Sequence, residues 1–213
     1  MPHNLKDVYL SIKTAIDDRL GEFRALWENG TDADVFREMC FCTCTPQNNA
    51  HKAWDAVCAL DGLIETAQAD RIAAVLREGG VRFHRNKARY ITANRESFFP
   101  DAKARIAAIL KDRTQREARD ILAERVYGWG LKEASHFLRN IGFGSEVCIL
   151  DRHILRQLSL HGVFSQETST VCLTKSVYRD VEARMALFAA QEGIPVDALD
   201  LTFWFAEKGA LFK

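Results

Sequence analysis

Apolar residues recur every three to four positions along most of this chain, and the strict alternation of a half-buried strand is scarce. Helical patterns run over residues 5–20, 34–44, 49–60, 69–77, 86–94 and 101–111, and again over 116–126, 131–141, 152–160, 171–190 and 197–206. Several end on recognisable stops: Gly79-Gly80, Gly142, and Gly193 followed by Pro195. The four prolines fall outside the strong helical patterns, and no internal repeat or low-complexity segment interrupts them. The pattern predicts an all-α protein of about ten helices.

A chain of 213 residues with 47% hydrophobic content can bury a core as one large domain or as two small helical lobes. No apolar run is long enough for a signal segment or a bilayer span, so a soluble, intracellular protein is expected. Its six cysteines are expected to be reduced. Cys40, Cys42 and Cys44 would point to alternate faces of a helix and could not close one tetrahedral site, so no metal is expected. Net charge is zero, yet residues 80–160 carry 16 Lys and Arg against 9 Asp and Glu. A locally basic face suits phosphate binding whatever the total.

The stretch richest in chemistry is Val126-Tyr127-Gly128-Trp129-Gly130-Leu131-Lys132-Glu133-Ala134, where a helical pattern is cut by two glycines and resumes. Gly128 and Gly130 can take positive φ, and their amides, with the unsatisfied N–H groups opening the next helix, would grip one DNA phosphate. A tight helix–helix turn would use the same glycines. Lys132 adds weight to the first reading, because a first helical turn prefers an acid. A positive helix end and burial both favour the neutral amine, the form that acts as nucleophile; a solvated surface lysine is the alternative. Nineteen residues on, Asp151 stands where an apolar run meets a helix, as an N-cap, a rigidly held carboxylate, or both.

The glycine hairpin, the Lys-Glu-Ala-Ser-His-Phe-Leu-Arg-Asn from Lys132 to Asn140, and the Asp-Arg-His-Ile-Leu from Asp151 to Leu155 resemble the archaeal-type 8-oxoguanine DNA glycosylase/lyases, the second such family of the helix-hairpin-helix superfamily. The resemblance extends over nearly the whole chain, including Cys40-Phe41-Cys42, Arg82-Phe83-His84-Arg85 to Tyr90, and Leu199 through Trp204 to Lys213. It implies two α-helical lobes, 40–126 and 1–39 with 127–213, holding lesion-bearing duplex DNA between them, and a monomeric enzyme. Lys132 would be the Schiff-base nucleophile and Asp151 the catalytic carboxylate, a chemistry expected to require no metal or diffusible cofactor. The superfamily's iron–sulfur branch is disfavoured, since no cysteine follows Cys172. Two departures stand out: Trp129 replaces a smaller aliphatic residue between the glycines, and Thr45-Pro46-Gln47-Asn48-Asn49 differs from the family's usual segment.

Because a base in a duplex must be extruded before it is attacked, the remaining assignments follow that step. Gln47 would fill the vacated stack, as a glutamine does in endonuclease III-like relatives. Phe83 and Trp204 would sandwich the purine, and His153, Arg85 and Lys87 would hold phosphates. Leu211 and Phe212 should dock the chain end rather than let it fray, which would fix Lys213 with a carboxylate and an ammonium to sense the N7 donor and C8 oxygen of oxidised guanine. The resembling family likewise ends in a lysine linked to that discrimination. Alternatives left by the residues are a glycosylase of this superfamily for another lesion, and a non-catalytic DNA-binding module in which Lys132 only adds charge.

Overall fold

The computed structural model describes residues 5–164 and 173–213. Among them stand twelve helices and no strand: α1 (Leu5–Asn29), α2 (Asp32–Cys44), α3 (Ala50–Cys58), α4 (Leu63–Thr66), α5 (Ala69–Glu78), α6 (His84–Phe98), α7 (Ala102–Leu110), α8 (Gln115–Arg125), α9 (Leu131–Asn140), α10 (Arg152–Leu160), α11 (Lys175–Glu192) and α12 (Val196–Lys208). The all-α expectation holds, with two differences. α1 runs nine residues past the expected end, carrying Phe23 into the core, and stops before Gly30, where a Cβ would meet the Leu26 carbonyl oxygen at 2.4 Å. The single turn α4 is too short to give a periodic signal. The expected helix start at 171, like Cys172, lies outside the described residues. No described helix is long and apolar enough to cross a membrane.

Local chemistry fixes the helix starts. Thr31 and Thr114 form full capping boxes with Asp34 and Glu117, each satisfying two backbone donors. The apolar faces then gather into two clusters. One takes Phe36, Met39 and Phe41 of α2, Leu76 of α5, Ile91 of α6, Ile106 of α7 and Leu122 of α8. The other takes Tyr9 and Ile16 of α1, Leu158 of α10, Val181 and Met185 of α11, and Leu201 and Phe203 of α12. Each fully buried side chain of this size contributes about 1.5–3 kcal/mol.

Helix α9 joins the two. Ala134, Phe137, Leu138 and Ile141 belong to the first cluster and Leu131 to the second. Of its ten residues only Lys132 and Glu133 are not buried. The helix has one available orientation, and its N-terminus opens on the seam between the clusters.

A buried polar cluster holds the segment that leads to Asp151. Arg119 of α8 donates to Glu182 Oε1 of α11 at 2.6 Å, and the same oxygen accepts the Cys148 N–H at 3.0 Å. Tyr178 of α11 donates to the Cys148 carbonyl at 2.6 Å. Arg119 and Glu182 are both almost fully buried, so removing Glu182 leaves the buried guanidinium with Asp120 alone, at 2.9 Å, and takes the acceptor from the Cys148 N–H. Glu182→Ala is expected to destabilise the protein by about 3–5 kcal/mol in urea unfolding, and the paired replacement Arg119→Met/Glu182→Leu to recover most of that. A loss below about 1 kcal/mol for the single variant, the size of an exposed pair, would show that the cluster does not hold this segment.

Candidate active site

A cleft of about 1020 Å³ opens at the seam, lined by the N-termini of α9 and α10, residues of α12, and the loop 45–49 between α2 and α3. Lys132 and Asp151 both line it, as do Gln47, Gly130, His153, Trp204 and Lys213.

Lys132 is the second residue of α9, and its Nζ lies 2.9 Å from Glu133 Oε1. The other Glu133 oxygen accepts the Gly130 N–H at 3.0 Å. Burial pushes the Glu133 carboxyl up, but the Lys132 ammonium and the Gly130 N–H outweigh it and hold the group below its ordinary value. Glu133 is thus ionised, capping the helix with one oxygen and aiming the lysine with the other. Its position three residues after the glycine N-cap is the sequence signal that identifies it.

The hairpin differs in detail from expectation. Gly128 takes φ +82, but Gly130 is extended at φ −111, because it is the N-cap of α9 rather than a left-handed turn residue. Its amide is also consumed by Glu133, and those of Tyr127 and Trp129 by Asn94 and the Val126 carbonyl. The Gly130 N–H is therefore not free to meet a phosphate. The Trp129 indole turns inward against Phe137 and donates to Thr43 Oγ1 at 2.9 Å.

Asp151 is the N-cap of α10. Its Oδ1 accepts the His153 and Ile154 N–H groups at 2.8 and 2.9 Å, so the carboxylate is held by the helix start it caps. The neighbouring His153 is fixed by Glu207 of α12, whose Oε1 lies 3.4 Å from Nδ1, and it meets the Trp204 ring edge-on at 5.4 Å. Glu207 also holds Gln157 and Arg156.

Beyond α12 the chain turns back at Gly209 (φ +71), and its end docks. Leu211 packs against the second cluster, while Phe212 packs against the first and lies over His51 with ring centroids 3.9 Å apart. Lys213 Nζ pairs with Glu38 Oε2 at 2.5 Å and sits 3.4 Å from the Trp54 ring centroid. Glu38 is buried and also accepts from Asn140 of α9 at 2.6 Å. His136 hydrogen-bonds the Lys213 backbone; burial first, then the Arg139 and Lys132 cations, push its imidazole well below the ordinary value, so it is neutral. Its Nε2 is buried without a partner among the described residues. Glu38, Trp54, Asn140 and His136 give no local sequence signal of this role, because they meet Lys213 only through the tertiary fold.

Three other expectations are resolved by geometry. Lys87 does not face phosphate: it is 5% exposed and its Nζ donates to the Cys44 and Pro46 carbonyls at 2.8 Å each, because the loop 45–48 folds over it. Phe83 does not line the cleft. Its left-handed backbone (φ +57) at the N-cap of α6 turns the ring outward, 52% exposed, while its neighbour Arg82 lines the cleft instead. Arg85 is exposed in the first turn of α6, away from the cleft lining. Gln47 stands at the exposed tip of the loop 45–49 with φ +59, and the Arg82 N–H donates to Asn48 Oδ1 at 2.8 Å, so the Gln47 and Phe83 segments adjoin.

A family model described as 8-oxoguanine DNA glycosylase matches residues 16–194. The 8-oxoguanine DNA glycosylase/AP lyase of Fusobacterium nucleatum is 37% identical over 218 residues, covering 99% of this chain and 97% of the relative. That of Metallosphaera sedula is 36% identical, with 95% of each covered. Among solved structures, the 8-oxoguanine DNA glycosylase of Thermotoga maritima superposes with a TM-score of 0.87 at 30% identity, covering 98% of this chain and 96% of that one. The Methanocaldococcus jannaschii 8-oxoguanine glycosylase/lyase, solved with a 15mer DNA containing 8-oxoguanine, gives 0.87 at 28% identity, with 98% and 99% covered. An all-α fold, a glycine hairpin opening on a cleft-facing lysine, and agreement along almost the full length of these relatives place this chain in the helix-hairpin-helix family of 8-oxoguanine DNA glycosylases.

Proposed function

We propose that this chain acts inside the cell as a monomer, excising 8-oxoguanine from double-stranded DNA and cleaving the strand at the abasic site. The observation that carries this reading is the meeting of Lys132, Asp151 and Lys213 on one cleft between two hydrophobic clusters. We read those clusters as two lobes with the duplex across the cleft mouth.

Extrusion of the lesion comes first and costs a few kcal/mol. Gln47 at its loop tip fills the gap, Phe83 meets the stack beside it, and Trp204, steadied by His153, receives the extruded purine. Lys213, its ammonium already engaged by Glu38 and Trp54, tests the base edge. Arg85 contributes positive charge near phosphate, and His153 is a further contact to it.

As the glycosidic bond breaks, Asp151 stabilises the positive charge growing on the sugar, and the electron pair leaves with the base. Lys132 must shed a proton before it attacks C1′. Asp151 and Glu133 are the carboxylates able to accept it. The amine then loses its second proton as the C1′–O4′ bond opens, the electron pair going to O4′, and the imine so formed makes the C2′ proton acidic; removal of that proton expels the 3′ phosphate by β-elimination.

Lys132→Gln is expected to abolish borohydride trapping on an 8-oxoguanine duplex while leaving lesion binding largely intact; continued trapping would assign the nucleophile elsewhere. Asp151→Asn retains a capping oxygen and so should fold, yet lower single-turnover base release by about 10²–10³-fold, the scale of lost charge stabilisation. Near-normal excision by that variant would reduce Asp151 to a cap. Deleting Lys213 is expected to lower 8-oxoguanine excision by about 10–100-fold, the worth of one charged hydrogen bond, with abasic-site cleavage mostly retained. Equal excision rates and unchanged selectivity over guanine would remove Lys213 from recognition.

A further inference from the structure

Three residues of α6, Lys87, Tyr90 and Asn94, share one helical stripe at i, i+3 and i+7. None lines the cleft, yet each grips a segment that reaches DNA in the proposed reading. At one end, the buried Lys87 ammonium donates to the Cys44 and Pro46 carbonyls, the same two oxygens that Asn48 Nδ2 meets at 2.8 and 3.0 Å. Between those carbonyls and Asn48 stands Gln47 in its left-handed conformation. At the other end, the buried Asn94 takes both sides of Tyr127: Oδ1 accepts its N–H at 2.8 Å and Nδ2 donates to its carbonyl at 3.2 Å. Tyr90 lies under Gly128, where a Cβ would come within 2.4 Å of its ring. The bond from Trp129 to Thr43 closes the arrangement from the α2 side.

We propose that Lys87 and Asn94 are positioning residues that make α6 a spacer, holding the gap-filling loop at a set distance from the phosphate-gripping hairpin. This rests on the gap-filling role proposed for Gln47. Seven helical residues span about 10 Å, close to three nucleotide steps of about 3.4 Å. A hairpin seated on its phosphate therefore presents Gln47 at a fixed offset along the strand. A lysine is costly to bury, and among the described residues Lys87 forms no ion pair with a carboxylate; two backbone carbonyls of a loop are what its charge is used to hold. Burial lowers the Lys87 ammonium to about 8, with Lys132 and Glu133 of α9, Arg82, and Cys44 of α2 facing it. The Cys44 thiol is itself pushed up to about 12 and stays neutral in that range. The clamp on the loop therefore weakens as pH rises through about 8.

The test is binding to a duplex carrying 2′-fluoro-8-oxoguanosine, which resists excision. Lys87→Met is expected to weaken binding about tenfold, and the double variant Gln47→Ala/Lys87→Met to bind no more weakly than Gln47→Ala alone, with single-strand binding little changed. Asn94→Leu should likewise weaken duplex binding about tenfold, as the hairpin loses its grip on a phosphate. If Lys87→Met does not fold, the wild-type protein still reports: its advantage over Gln47→Ala should shrink as pH rises through about 8. Additive losses in the double variant, a pH-independent advantage, or wild-type binding by Asn94→Leu would overturn the spacer. Wild-type binding by Gln47→Ala alone would instead overturn the gap-filling reading, and the spacer with it.

Discussion

The N-terminus of α9 is the constraint on which the site depends. Eight of the ten residues of this helix are buried, and its stripe is shared between two hydrophobic clusters, so it can neither rotate nor slide without exposing apolar surface. The two residues left at the opening are Lys132 and Glu133. Glu133 then removes the remaining freedom: one oxygen closes the helix on Gly130 and the other holds the lysine amine. The proposed nucleophile needs such placement because misalignment by about 1 Å is enough to cost about 10²-fold in rate.

The other groups are brought to that fixed point by buried charge rather than by packing alone. Arg119 with Glu182 anchors the backbone before Asp151, Arg139 with Asp200 ties α9 to α12, and Glu38 holds Lys213. Buried pairs of this kind gain little net stability over apolar replacements, since desolvation offsets most of the attraction. What they supply is location: each pairs residues far apart in sequence, and an unpaired alternative would leave a bare charge inside. The orphan Nε2 of His136 belongs to the same region, beside the seat of Lys213.

Much of this was legible in the chain. Period, stops and caps placed eleven of the helices, and the interruption at Gly128 and Gly130 marked the hairpin. Asp151 read as a cap and is one. Docking of Leu211 and Phe212 followed from two adjacent apolar residues at the chain end. What the residues did not disclose is of one kind. Lys87 looked like a surface cation in a basic segment, because nothing local says that a loop some 40 residues upstream folds over it. Phe83 points outward because its backbone is left-handed, a conformation unusual for an aromatic residue. Gly130 seemed a turn glycine until Glu133 claimed its amide. The partner of Lys213 lies 175 positions away, a separation that helical periodicity cannot register.

The proposed chemistry turns on one covalent bond, between a lysine amine and the sugar of the damaged nucleotide. Its most direct test is to reduce the reaction on an 8-oxoguanine duplex with borohydride, digest the protein and locate the DNA-linked residue by mass spectrometry. The adduct is expected on Lys132 alone. An adduct on Lys87, Lys213 or any other amine, with Lys132 unmodified, would contradict the central assignment.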